Sequence, residues 1–196
     1  LIDGILQYSR VGRVREKLAE VELNKLLPEI IDMLAPPANI KITVESDLPT
    51  VKCEETRITQ VFQNLLSNAV KYMDKPEGHI KVLCSEDGEY WKFGIADNGP
   101  GIEKKHWERI FKIFQTLAPR DEFESTGIGL TVVKKIVELY GGQIWLESEV
   151  GKGTTFLFTF PKAGAPELPQ EEETVEVGAE ENPDGNGTLE NGTAGN

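Results

Sequence analysis

The stretch QVFQNLLSNAVKYM, residues 60–73, makes up all but the first six residues of a predicted helix running from Glu54 to Met73. Ile58, Val61, Phe62, Leu65, Leu66, Ala69 and Met73 recur with the helical period and mark a core-facing side. Gln60, Asn64, Asn68 and Lys71 follow one another at spacings of four, four and three. At ~100° per residue they share an arc of about 80° on the other side. A solvated face ordinarily carries Glu and Lys pairs. Here it carries two asparagines, which are mediocre helix formers. Read alone, this face is either plain surface or a line of two carboxamides and an ammonium set out for a ligand. A carboxamide oxygen can bind a hard cation such as Mg²⁺, and a lysine can meet phosphate oxygens as a point charge.

Two glycine-bearing motifs lie downstream. Asp97-Asn98-Gly99-Pro100-Gly101-Ile102 follows the predicted strand Tyr90–Ala96, whose end delivers Asp97 into a loop. These residue types favour a surface turn. The glycines also let a ligand approach the backbone, and the aspartate could accept a hydrogen bond from an exocyclic amine. Ser125-Thr126-Gly127-Ile128-Gly129-Leu130 opens a predicted helix from Ile128 to Tyr140, stopped by Gly141-Gly142. N–H groups at such a start face outward at the positive end of the helix dipole, a ready anion site. A flexible turn is the alternative.

The remaining pattern alternates helices and strands. Residues 24–35 read as a helix with Asn24 as its cap and Pro28 in its first turn, halted by Pro36-Pro37. Residues 40–44 and 51–53 read as short strands. Residues 79–85 and 90–96 form a hairpin around Asp87-Gly88, and 143–147 and 154–160 form another around Gly151-Lys152-Gly153. Between them, 97–126 is mostly loop with a helical patch near 104–111. This order predicts an α+β, two-layer sandwich with helices on one face of a mixed sheet.

The 196 residues carry a net charge of -12. From Ala163 to Asn196 there are nine acidic residues and no Lys or Arg, so the preceding body holds 24 acidic against 21 basic groups. The tail lacks aromatics, is rich in Glu, Gly, Pro and Asn, and reads as disordered. Its Asn186 and Asn191 glycosylation patterns read as chance matches. The acidic balance disfavours a nucleic-acid binder. No apolar run approaches the ~20 residues of a membrane span, and no export leader opens the chain, so a cytoplasmic location is expected. Cys53 and Cys84 stand outside any metal-ligand spacing and read as reduced thiols near the core. The opening LIDGILQYSRVG places Leu1, Ile5, Tyr8 and Gly12 on one helical stripe. It reads either as the end of a longer helix or as an amphipathic helix packed on its own domain.

In this order and spacing, the motifs resemble the ATP-binding catalytic domain of sensor histidine kinases, in the superfamily that includes gyrase, Hsp90 and MutL. QVFQNLLSNAVKYM resembles the family's asparagine box and DNGPGI its first glycine box. IFKIFQ resembles its phenylalanine box, and STGIGL with the closing GKGTTF hairpin its second glycine box and last strands. The likeness spans about Val21 to Lys162 and is strongest to phytochrome-type kinases.

The resemblance implies a Bergerat-type fold: a mixed, mostly antiparallel sheet with three main helices on one face. It implies ATP and Mg²⁺ as ligands, with Asn68 holding the metal and Lys71 on the phosphates. Asn64 stands where ATP hydrolases of the superfamily place a general-base Glu. Its amide cannot take a proton from water, which favours transfer to a protein acceptor. Tyr72 would lie beside the nucleotide and Asp97 would read the adenine amine, with Gly99, Gly101 and Ile102 shaping that pocket. Residues 103–126 would be a lid, with Arg120 reaching the γ-phosphate or solvent and Phe111 and Phe114 anchoring it. Thr126, Gly127, Ile128, Gly129 and Leu130 would close the phosphate end, and Thr155 would complete the adenine side.

The implied domains are 1–20, the end of a dimerisation hairpin; 21–162, the ATP-binding domain; and 163–196, the acidic tail. Two features depart from the family pattern: Ser125 replaces a common glycine, and no histidine stands in an acceptor context. His79 and His106 read as structural or solvent-facing. The acceptor histidine is therefore expected upstream, on a homodimeric hairpin, with a response-regulator receiver domain as the next partner. The rival readings are an ATPase or serine-directed kinase of the same superfamily, and a catalytically silent nucleotide-binding interaction module.

Overall fold

The computed structural model describes Leu6, Tyr8, Ser9, Val11 and residues 17–115 and 127–164. The chain order is β1 (Ala19–Glu22), α1 (Leu23–Leu34), β2 (Ile40–Val44), β3 (Thr50–Cys53), α2 (Glu55–Lys71), β4 (Gly78–Asp87) and β5 (Tyr90–Asp97). Two 3₁₀ turns follow at Lys104–His106 and Arg109–Phe111, then α3 (Gly129–Leu139), β6 (Ile144–Glu149) and β7 (Gly153–Pro161).

Five strands form one sheet in the order β2-β4-β5-β7-β6. Only β2 and β4 run parallel; the other neighbours are antiparallel. This is the mixed, mostly antiparallel sheet expected of the sequence. Strand alternation sends Ile80, Val82, Phe93, Ile95, Phe156 and Phe158 to one face, where all are buried. Helices α2 and α3 pack on that face, and α1 packs on α2. Among the described residues no helix is long and apolar enough to cross a membrane.

The layer contact centres on Phe62 of α2. Its ring meets Phe93 of β5 edge-on at 5.6 Å between centroids and Phe158 of β7 at 5.5 Å, while Phe93 and Phe158 stack at 5.1 Å. All three are fully buried.

At the far end of the helix pair a polar clamp replaces apolar packing. The Tyr140 hydroxyl donates to Glu54 Oε2 at 3.0 Å and accepts from the Glu54 N–H at 3.2 Å. Arg57 Nε lies 3.6 Å from the same carboxylate. The last turn of α3 is thereby tied to the first turn of α2. Desolvation is the main cause pushing the Tyr140 phenol well above its ordinary range.

Several local expectations need correction. Residues 19–22, left unassigned by pattern, form β1 and pair antiparallel with β3 in a separate two-stranded sheet. That strand crosses the sequence-derived boundary between residues 20 and 21. Asn24 does not cap α1. Its side chain instead grips the backbone of Leu48, donating to the carbonyl and accepting from the N–H, both at 3.0 Å. The helix begins at Leu23, so Pro28 is its sixth residue and lies beyond the first turn. The helical patch near 104–111 is two 3₁₀ turns.

Both cysteines are free. Burial pushes the Cys53 thiol up to about 12 and that of Cys84 up to about 11, so both stay protonated at neutral pH.

Replacing Phe62 with Ala removes the ring between the two layers. Chemical denaturation should show a loss of about 3–5 kcal/mol. A loss below about 1 kcal/mol would show that the aromatic cluster does not hold the layers together.

Candidate functional site

The site lies at the end of β5, between the C-terminal half of α2 and the start of α3. In register, Asp97 of β5 stands opposite Thr154 of β7 and Ile80 of β4. Asp97 Oδ1 accepts from the Gly99 N–H at 2.9 Å and from the Thr154 N–H at 3.2 Å. Among the described residues both bonds fall on one oxygen, which leaves Oδ2 for a further donor.

Asn98 fixes the aim of this carboxylate. Its Oδ1 accepts from the His79 N–H at 2.7 Å, and its Nδ2 donates to the Glu77 carbonyl at 3.0 Å. Asn98 thus clips the loop to the start of β4, a role that the turn-forming composition of DNGPGI does not reveal.

The rest of that loop is fastened to the β6–β7 hairpin. The Gly151 N–H donates to the Pro100 carbonyl at 2.7 Å, and the Ile102 N–H donates to Ser148 Oγ at 2.7 Å. Gly101 has φ +75°, and a Cβ there would fall on the Glu149 carbonyl. Only glycine meets both demands. A Cβ on the buried Gly99 would lie 3.0 Å from Asp97 Oδ1 and 3.6 Å from the Tyr72 carbonyl, so the loop also abuts the end of α2. Trp107 Nε1 donates to the Ile102 carbonyl at 3.0 Å.

The second end of the site is built by α2 and α3. Asn64 Nδ2 donates to the Gln60 carbonyl at 2.7 Å. Its Oδ1 reaches Gly129: a Cβ at Gly129 would come within 2.6 Å of that oxygen. Asn68 lies one turn further along α2 and is half-buried, as is Lys71, whose Nζ stands 5.7 Å from the Tyr72 ring centre.

Among the described residues no side chain caps α3. Its first N–H groups have no partner within the helix and carry the positive end of the helix dipole. The Phe114 N–H donates to the Gly127 carbonyl at 3.0 Å, and Thr131 Oγ1 donates to the Phe111 carbonyl at 3.2 Å.

The predicted side chains do not all arrive. Thr155 faces away: alternation along β7 places it on the opposite side of the sheet from Asp97, beside Ala96 and Glu147. Thr154 is the threonine at the carboxylate, and the register of β7, not its composition, identifies it. Ile128 is 1% exposed, so only its backbone could meet a ligand, and Leu130 packs against the core. Phe111 meets Phe156 edge-on at 6.4 Å, whereas Phe114 is exposed. Thr126, Ser125 and Arg120 lie outside the described residues, as do the tail from residue 165 and most of the opening segment.

Desolvation by burial is the largest effect on Asp97 and raises its carboxyl above the ordinary 3.8. The Gly99 and Thr154 N–H groups oppose the rise, and the negative charge of Asp74 adds to it. A carboxyl raised in the folded state disfavours folding only when ionised. The penalty is absent below the ordinary value, grows through the raised one, and is fully present at neutral pH. Asp97→Asn keeps an acceptor for both N–H groups but carries no charge. Its denaturation midpoint should exceed the wild type's at pH 7, with the gain shrinking as pH falls toward the ordinary carboxylate value. A gain independent of pH would show that the charge is not the cause.

Comparison with known proteins agrees with this geometry. The family model described as histidine kinase-, DNA gyrase B- and HSP90-like ATPase matches residues 53–164, more than half of the chain. Cyanobacterial phytochrome B of Nostoc sp. is 42% identical over 164 residues, covering 81% of this chain and 22% of that protein. The crystal structure of full-length ShkA in complex with AMPPNP superposes with a TM-score of 0.70 at 31% identity, covering 84% of this chain and 36% of that one. The nucleotide-free catalytic domain of histidine kinase ThkA gives 0.61 at 30% identity, covering 75% and 97%. The chain thus spans about a fifth of the curated relative's length, and with the asparagine-bearing helix, the half-buried aspartate and the glycine-started helix in place, it belongs to the histidine kinase-, gyrase B- and HSP90-like ATPase family.

Proposed function

We propose that this chain is the ATP-binding part of a two-component sensor histidine kinase. It binds Mg-ATP and presents the γ-phosphoryl group to a histidine on a dimerisation hairpin, from which an aspartate of a response regulator receives it. The observation that carries the reading is Asp97. A half-buried carboxylate is held by two backbone N–H groups through one oxygen, with the other oxygen left for an amine donor. A desolvated acid lowers stability unless a ligand uses it. Adenine supplies the matching exocyclic amine.

The other residues take roles by position. Asn68 supplies an amide oxygen to Mg²⁺, and Lys71 meets phosphate oxygens. Among the described residues no three His, Cys, Asp or Glu side chains cluster to hold a metal alone. That fits Mg²⁺, which is usually held by one or two protein oxygens together with substrate phosphates. When bound, the ion neutralises phosphate charge. The start of α3, from Gly127 to Leu130, receives the phosphate tail on backbone N–H groups. Tyr72 flanks the nucleotide, and Gly99, Gly101 and Ile102 shape the base pocket. With Thr126 these residues complete the site.

Asn64 favours transfer over hydrolysis. Its Nδ2 is engaged with Gln60 and its Oδ1 lies against Gly129, so it offers no base to a water molecule. Catalysis then consists of positioning and charge neutralisation. The ThkA and ShkA likenesses and the phytochrome relative support the kinase assignment. The same reading takes residues 1–20 as the end of the dimerisation hairpin, 21–162 as the ATP-binding domain and 163–196 as an acidic tail. It places the homodimeric protein in the cytoplasm.

Titration calorimetry with Mg-ATP tests the reading. Asp97→Asn should weaken ATP binding about 10- to 100-fold, as expected for loss of a charged acceptor. Equal affinity in the two proteins would refute the base pocket. Gly129→Ala should leave the fold intact, because the Asn64 side chain can move aside. The displaced amide and crowded helix start should weaken ATP binding by about tenfold, and unchanged affinity would remove Asn64 and Gly129 from the phosphate end.

A further inference from the structure

Ser148, on β6, belongs to none of the motifs above, yet its hydroxyl has three partners. Oγ accepts from the Ile102 N–H at 2.7 Å, lies 2.9 Å from the Gly153 carbonyl and lies 2.9 Å from Thr154 Oγ1. A serine hydroxyl has one proton and two lone pairs. The Ile102 N–H occupies one lone pair. The Gly153 carbonyl can only accept, so it takes the serine proton. The remaining lone pair must then receive the proton of the Thr154 hydroxyl.

Thr154 is 5% exposed and stands opposite Asp97 in the register, on the same face of the sheet. With its proton turned toward Ser148, its oxygen offers only lone pairs in other directions. Asp97, when ionised, likewise offers only acceptors. Both polar groups at the base end therefore call for a donor.

We propose that Ser148 is a specificity-determining positioning residue, which turns the Thr154 hydroxyl into an acceptor and so selects a 6-aminopurine over a 6-oxopurine. The proposal rests on the ATP-binding reading above and deepens it. Ser148 does not touch the nucleotide. It acts through the direction of one proton on Thr154 and through its hold on the Ile102 N–H, which fixes the loop that borders the base.

The test compares ATP with inosine triphosphate, a 6-oxopurine nucleotide of nearly the same shape, by calorimetry on the whole chain. The wild type should favour ATP. In Ser148→Ala the Thr154 proton is released, and the ratio of ATP to inosine triphosphate affinity should fall about tenfold. Ser148→Thr keeps the hydroxyl and should hold the ratio within about twofold of the wild type. A general loosening of the hairpin would weaken both nucleotides alike and leave the ratio unchanged, which would overturn the proposal. An equal fall in Ser148→Ala and Ser148→Thr would overturn it too.

Should Ser148→Ala fail to fold, Thr154→Val provides the second arm. It deletes the acceptor and should lower the ratio by a similar factor, and an unchanged ratio there rejects the idea. If the wild type bound neither nucleotide, the ATP-binding reading would fall and the proposal with it, a result distinct from a wild type that binds ATP without preference.

Discussion

Phe62 fills the space between Phe93 and Phe158, and the geometry of the site descends from that contact. Phe62 and Asn68 are on one rigid helix, about 9 Å apart along its axis. Phe93 and Asp97 are on one strand, about 13 Å apart. Once the three rings lock α2 over β5 and β7, the amide face of the helix and the carboxylate at the strand end have little freedom to separate. The Tyr140–Glu54 bond holds α3 against α2 at the other end, so the Gly129–Asn64 approach is set by two fixed points. Packing and a buried polar clamp thus pre-position the groups of the site.

Against this rigid frame, Asp97 stands out as a local cost. Its side chain is partly desolvated, its described partners are neutral N–H groups, and the negative charge of Asp74 repels it. Neutral hydrogen bonds stabilise a carboxylate less than an ion pair would. A fold selected for stability alone would place an amide there. The residue makes sense where the unused oxygen is completed by a ligand donor, and so the link from electrostatics to function runs through an energetic defect.

Much of this was legible in the sequence because periodicity reports burial directly. The two faces of α2 and the strand hairpins follow from apolar spacing, and the glycine positions follow from what a close approach demands. The errors have a common cause. Thr154 and Thr155 are chemically identical neighbours, and only the cross-strand register decides which one stands by Asp97. Asn24 looks like a cap because caps are local, whereas its true partner, Leu48, is 24 residues away. β1 was invisible because a four-residue strand with a single buried side chain carries almost no periodic signal. Asn98 and Ser148 were missed for the same reason as Leu48: their function is to bond distant backbone, and backbone has no sequence signature.

The pattern of polar groups also bears on what kind of chemistry the cleft can support. Hydrolysis requires a water molecule held in line and a group to take its proton. The α2 position nearest the start of α3 holds an amide whose nitrogen is bonded to Gln60 and whose oxygen is pressed against Gly129. That amide has negligible basicity. A carboxylate in its place would set a negative charge beside the helix start and compete with phosphate for the same N–H groups. The amide keeps that end available to an anion while withholding a base. On the proposed reading, this arrangement keeps a triphosphate for an incoming nucleophile rather than spending it on water.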